Sequence, residues 1–102
     1  MNSISDLIDI LTLENLGNNQ YNGISKTIGS PNVFGGQVLA QALSAAYKTI
    51  PKERILHSLH SYFLEAGDLT KPITYKVAEI RDGGSFSTRR VTAFQGNIAI
   101  FI

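Results

Sequence analysis

The residues with chemistry to offer fall in three places. His57 and His60 stand in His-Ser-Leu-His, Arg81, Arg89 and Arg90 flank the turn Asp82-Gly83-Gly84-Ser85, and Gly35-Gly36-Gln37 opens an apolar stretch. An imidazole titrates near neutral pH and can act as a base. Positions three apart on an extended chain point to opposite faces, so His57 and His60 cannot share a metal ion. One of them can serve as a base while the other meets solvent or a partner; the plainer alternative is two ordinary polar residues on a half-buried strand. Arg89 and Arg90 also point to opposite sides. Arginines beside a cleft grip the phosphates of a nucleotide-like group; the alternative is a solvated hairpin in which they pair with Asp82 and Glu79. The Gly-Gly start, without a Ser or Asp cap, leaves helix N–H groups that can be aimed at a carbonyl or phosphate oxygen. Close packing against another element is the competing use of those glycines.

Other constellations are missing from the sequence. It has no Gly-x-Ser-x-Gly, no cysteine nucleophile and no phosphate loop ending in Lys-Ser/Thr. The carboxylates are scattered, and none sits on an apolar element where burial would raise its pKa.

The element that must position these groups runs over residues 33–51. It predicts a helix at 36–49, with Gln37, Gln41, Ser44 and Lys48 forming one narrow polar stripe on an otherwise small and apolar cylinder. Such a helix is buried on most sides. Pro51 forces Ile50 out of helical geometry and ends it. Upstream, residues 5–11 predict a short amphipathic helix capped by Ser5, residues 16–19 a turn, and residues 21–25 a short strand. Downstream, period-two patterns predict strands at 56–64, 73–81, 86–95 and 98–102, separated by Glu65-Ala66-Gly67-Asp68, Asp82-Gly83-Gly84-Ser85 and Gln95-Gly96-Asn97. On the second of these strands Ile73, Tyr75 and Val77 share a face. A nearly all-apolar helix and a curved antiparallel sheet satisfy each other if the sheet wraps the helix, which gives an α+β domain.

The totals narrow the function class. With 102 residues, 9 basic and 8 acidic side chains and a net charge of +1, the chain has no electrostatic case for nucleic acid or a charged membrane surface. No apolar run approaches the ~20 residues of a membrane span. The absence of cysteine fits a reducing compartment, and a cytoplasmic location is expected. The apolar run Ile98-Ala99-Ile100-Phe101-Ile102 gives the chain the look of a single domain, residues 1–102, truncated at its C-terminal side.

The motifs resemble a known family. Val33-Phe34-Gly35-Gly36-Gln37-Val38 with Gln41-Ala42-Leu43 is similar to the opening of the hotdog helix of acyl-CoA thioesterase II. His57-Ser58-Leu59-His60-Ser61-Tyr62-Phe63-Leu64 with Gly67-Asp68 resembles that family's second strand. Arg81-Asp82-Gly83, Ser85-Phe86-Ser87 and Arg89-Arg90-Val91 resemble its third and fourth, and Leu11-Thr12-Leu13-Glu14-Asn15-Leu16 its start. The resemblance implies a hotdog fold, a long helix wrapped by an antiparallel sheet. It implies hydrolysis of fatty acyl-CoA to free fatty acid and CoA, with no metal or covalent cofactor, CoA being part of the substrate. It also implies a double hotdog nearly three times this length, whose catalytic Asp, Thr or Ser, and Gln lie in a C-terminal hotdog absent from this sequence. The present chain is then the N-terminal hotdog, inactive or nearly so alone, and self-associating by hotdog–hotdog pairing into a homo-oligomer. By motif, a functional histidine of the family falls on His57 or His60. The helix start, Gly35, Gly36 and Gln37, falls where hotdog thioesterases direct N–H groups at the thioester carbonyl. The alternative function is a non-catalytic hotdog module for binding or assembly. A self-sufficient single-hotdog enzyme would need an acid at the helix or the loop before it, and none lies between Asn15 and Thr49.

Overall fold

The computed structural model describes residues 8, 9, 11–24 and 35–102. Their elements run β1 (Glu14–Gly17), β2 (Gln20–Gly23), α1 (Gly35–Tyr47), β3 (Ile73–Asp82), β4 (Ser87–Gln95) and β5 (Ile98–Phe101). The strands form one sheet in the order β1-β2-β3-β4-β5, every pair antiparallel. This is the α+β hotdog arrangement, with α1 packed on one face of the sheet against β2, β3 and β4.

Each hairpin is set by its turn residues. Gly17, Asn18 and Asn19 all take positive φ, at 84°, 52° and 58°. Glycine and asparagine tolerate that region, and it reverses the chain between β1 and β2. Gly96, at φ 62°, does the same between β4 and β5. The predicted strand at 21–25 is therefore the second arm of a hairpin. Its first arm, β1, carries no period-two signal, because all four of its residues are exposed.

The predicted sheet face holds. Ile73 and Tyr75 have no solvent exposure and Val77 is buried, while Lys76 and Ala78 on the other face are exposed. Across the sheet, Tyr21 lies opposite Tyr75, and Tyr75 opposite Ala93. Val38, Ala42 and Ala45 of α1 press on this layer. Ala45 has no exposure, and the small side chain allows the helix to sit close to the strands.

The helix differs from expectation in two respects. It ends at Tyr47, not Thr49: the Thr49 hydroxyl donates to the Ala46 carbonyl at 2.8 Å, and residues 48–49 form a turn. Half of its polar stripe is also turned inward: Gln37 and Gln41 are among the most buried residues, whereas Ser44 is half-buried and Lys48 exposed. Gln41 Nε2 donates to the Ile24 carbonyl at 2.7 Å, and its Oε1 accepts the Tyr75 hydroxyl at 2.6 Å. The amide thus ties α1 to the chain after β2 and to the sheet. A buried amide is tolerable when it is hydrogen-bonded at both ends.

Residues 56–64, expected as one strand, are paired only at their end. Tyr62 and Ile102 exchange backbone hydrogen bonds at 3.0 and 3.1 Å, and Leu64 N–H donates to the Ile100 carbonyl at 2.8 Å. β5 lies opposite residues 62–64 and no further, so residues 57–61 make no ladder among the described residues. Of the helix predicted at 5–11, only Ile8, Asp9 and Leu11 are described, and all three are helical. Ser5 falls outside the described residues, as do Ser25, Val33 and Phe34.

Candidate functional site

Two hollows border α1. The larger, about 1020 Å³, lies between the outer face of the helix (Leu39, Leu43), the extended stretch 55–62, and the β3–β4 hairpin with Ile80, Phe86 and Val91. The smaller, about 390 Å³, lies at the start of the helix among Gly35, Val38, Phe63, Glu65 and Ile100.

The sequence-predicted residues divide between these hollows. His57, His60, Arg89 and Arg90 all line the larger. Both histidines are exposed, and the His57 ring meets Phe86 edge-on at 5.6 Å between centroids. Gly35 borders the smaller hollow, Gly36 is exposed beside it, and Gln37 is buried. The Gly35 Cα faces Phe63, and a Cβ there would stand 3.2 Å from the ring. The packing use of this glycine is therefore real, whatever else the helix start does.

The two arginines have different surroundings. The Arg89 side chain is only 5% exposed. Its Nε donates to Thr49 Oγ1 at 2.7 Å, and its Nη2 to the Thr49 carbonyl at 2.8 Å. Nη2 also stands 2.9 Å from Asp82 Oδ1 and 4.0 Å from Glu79 Oε1. Asp82 and Glu79 are the partners that the hairpin reading anticipated, joined here by Thr49 in the turn that follows α1. Arg90 is exposed.

Arg54, three residues after Pro51 and outside every motif singled out above, does similar work. Its guanidinium donates to Ser87 Oγ at 2.7 Å and to the carbonyls of Gly83 and Gly84 at 2.8 and 3.1 Å. Five donors in a planar fork let one arginine hold a whole turn. No spacing signal marks that role, because the contact joins residues about thirty apart in sequence. Glu65 at the smaller hollow carries no signal either, since its sequence context is only that of a strand break.

The acid–base behaviour follows from these contacts. The Ser87 hydroxyl, and then Arg89, hydrogen-bond the Asp82 carboxylate and hold its pKa below the ordinary value. The side-chain and backbone hydrogen bonds of Thr70 do the same for Asp68. Burial pushes the Tyr75 phenol well above its ordinary range, so it remains a donor to Gln41. A carboxyl whose folded pKa is depressed contributes stability above its unfolded pKa, near 4, and that contribution is lost as pH falls through the folded value. Melting temperature should therefore fall as pH drops below about 4. In Asp82→Asn the slope of melting temperature against pH over that window should be shallower than in the parent. An unchanged slope would mean that Asp82 is not held by these contacts.

Among the described residues no three His, Cys, Asp or Glu side chains are grouped so as to hold a metal ion. The first turn of α1 carries no acidic residue. Among the described residues no helix is long and apolar enough to cross a membrane.

Comparison with known proteins decides the family. The profile of the acyl-CoA thioesterase N-terminal domain matches residues 24–102. The chain belongs to that family. The chain is 48% identical over 92 residues to acyl-CoA thioesterase 2 of Haemophilus influenzae, an alignment that takes in 90% of this chain and 32% of that protein. Among solved structures, a TesB protein of Mycobacterium avium subsp. paratuberculosis superposes with a TM-score of 0.90 at 36% identity, over 97% of this chain and 40% of that one. The acyl-CoA thioesterase II TesB2 of Mycobacterium marinum gives 0.84 at 43% identity, over 94% and 35%. The chain thus spans about a third of the length of the curated relative.

Proposed function

We propose that this chain is the N-terminal hotdog of an acyl-CoA thioesterase, which in the complete protein hydrolyses fatty acyl-CoA to free fatty acid and CoA. The observation that supports this most is the 48% identity, across 90% of the chain, with a relative named for that activity. On this reading the chain does not perform the chemistry itself. Its helix start has backbone N–H groups and a hollow beside them, but no carboxylate in the first turn of α1 to activate water. The water-activating Asp, Thr or Ser, and Gln come from a second, C-terminal hotdog, and no metal or cofactor takes part.

Within this half, Gly35, Gly36 and Gln37 are placed at the thioester, with His57 or His60 supporting the acyl end. Exposed Arg90 is the arginine with a charge to offer the phosphates of CoA, whereas the Arg89 guanidinium is engaged with Thr49 and Asp82. The setting is fatty-acid metabolism in the cytoplasm, the reading that a cysteine-free sequence fits. Incubated with palmitoyl-CoA, the 102-residue chain should release CoA no faster than buffer. Turnover at roughly 1 s⁻¹ or more, an enzyme's ordinary range, would refute the division of labour.

A second reading, an assembly module that self-associates, draws on one observation. Ile55, Tyr62 and Phe63 are 85%, 70% and 55% exposed along a single extended stretch. Apolar exposure on that scale marks an association surface. We expect size-exclusion chromatography with light scattering to give twice the monomer mass at tens of micromolar. A monomer at every concentration would dismiss hotdog–hotdog pairing for this chain.

A further inference from the structure

We infer that Phe63 selects among acyl chains by length, because its ring stands on the line that parts the two hollows. On the thioesterase reading above, on which this rests, the thioester lies at the start of α1 and the acyl end near His57 or His60. The boundary between the hollows falls between neighbouring residues in three parts of the chain. In α1, Val38 borders the smaller hollow and Leu39 the larger. In β5 the change comes between Ile100 and Phe101, and in the extended stretch between Phe63 and Tyr62. Phe63 and Phe101 stand directly opposite each other, and the hydrogen bonds of this ladder belong to Tyr62 and Ile102 beside them. An antiparallel pair without hydrogen bonds of its own brings its side chains closest. The two rings meet edge to face with centroids 5.0 Å apart. The outer edge of the Phe63 ring lies over Gly35, where a Cβ would stand 3.2 and 3.3 Å from Cε1 and Cζ. Together the rings reach from β5 to the helix start, across the way from one hollow to the other.

The two rings are not equally fixed. Phe101 is buried in the core, whereas Phe63 is more than half exposed. Phe63 is therefore the member that can swing toward solvent by a change of rotamer. A short acyl chain with its thioester at Gly35 stays on the helix-start side of the ring, in a hollow of about 390 Å³. A longer chain reaches His57 and His60 only by turning the ring aside, which gives up the Phe101 contact and the seat on Gly35. Beyond the ring, the chain gains the apolar walls of the larger groove, Leu39, Leu59 and Phe86 among them. The cost of turning the ring falls on long chains alone, so Phe63 acts on selectivity and not on affinity for every acyl-CoA alike.

Titration calorimetry of the 102-residue chain with butyl-CoA and hexadecyl-CoA tests this, both being thioethers that cannot be hydrolysed and both kept below their micelle concentration. Phe63→Ala should raise the ratio of hexadecyl-CoA to butyl-CoA affinity by about tenfold, and Phe63→Leu by a smaller factor. Phe86→Ala, which trims the larger groove away from the boundary, should lower the ratio. A merely structural Phe63 would weaken both analogues together when removed. Circular dichroism checks that each variant is folded, and Phe63→Leu, which keeps an apolar side chain, carries the test if Phe63→Ala is not. A ratio unchanged or lowered in the folded Phe63 variants, while the parent binds, would overturn selection by Phe63 and leave the thioesterase reading standing. Binding of neither analogue by the parent or the variants would overturn the placement of the thioester, and selection by Phe63 with it.

Discussion

Gly23→Ala should lower the unfolding free energy by about 2 kcal/mol, roughly 10 °C in melting temperature for a domain of this size. Gly23 closes β2 opposite Ile73, directly beneath the Gln41 amide. A Cβ on Gly23 would collide with Gln41 Oε1 and stand 2.7 Å from Cδ. A flexible side chain would simply move aside. Gln41 is 1% exposed and held at both ends, by the Ile24 carbonyl and the Tyr75 hydroxyl. Displacing it strains or breaks those bonds, and a buried polar group that loses a partner costs about 1–3 kcal/mol. The cause can be isolated with a double-mutant cycle. In a Gln41→Ala background the added methyl has room, and Gly23→Ala should then change stability by less than about 0.5 kcal/mol. Chemical denaturation of the four proteins, followed by circular dichroism, measures the coupling. A neutral Gly23→Ala in the parent would show that the helix is not pinned through Gln41.

The second large effect separates the two neighbouring arginines. Arg89→Ala should cost about 2–3 kcal/mol, because a nearly buried guanidinium that bonds the Thr49 hydroxyl and carbonyl and pairs with Asp82 is lost. Arg89→Lys should recover little, since one ammonium cannot reach all three acceptors at once. Arg90→Ala, at an exposed position, should fall within about 0.5 kcal/mol of the parent. Equal effects of the two alanine variants on denaturation midpoint would contradict this difference between a structural Arg89 and a solvent-facing Arg90. In a complete enzyme the pattern should invert for CoA-dependent binding. Arg90→Ala would raise KM for acyl-CoA while leaving stability unchanged.

The parts of the fold that could be read in the sequence are those with a periodic burial pattern. The Ile73, Tyr75, Val77 alternation locates β3 because that strand is buried on one face and wet on the other. The helix is visible in its run of small apolar residues between Gly35 and Pro51. β1 is not, since four exposed residues leave no alternation to detect. The stripe of Gln37 and Gln41 misleads for a related reason. Polarity marks a solvent face only when the amide has no buried partner, and Tyr75, thirty-four residues away, supplies one. Long-range pairing also governs residues 56–64. Their alternation is that of a strand, but pairing needs a partner, and β5 reaches only residues 62–64. At the candidate site, the hairpin partners of Arg89 are legible in the sequence but cannot be weighed there against a phosphate. Arg54 is not legible at all, because its contacts to Gly83, Gly84 and Ser87 follow from the folded chain and not from spacing.

The division of labour between two hotdogs is the central claim, and a chimera tests it most directly. The N-terminal third of the Haemophilus influenzae acyl-CoA thioesterase 2, the part that aligns with this chain at 48% identity, would be replaced by these 102 residues. Release of CoA from palmitoyl-CoA would be followed for the chimera, for the 102-residue chain and for the remaining C-terminal part of the relative. The chimera should hydrolyse within about tenfold of the intact relative, a barrier difference of about 1.4 kcal/mol or less, and neither piece alone should exceed buffer. Full activity of the 102-residue chain by itself, or a folded chimera with no activity, would contradict the claim.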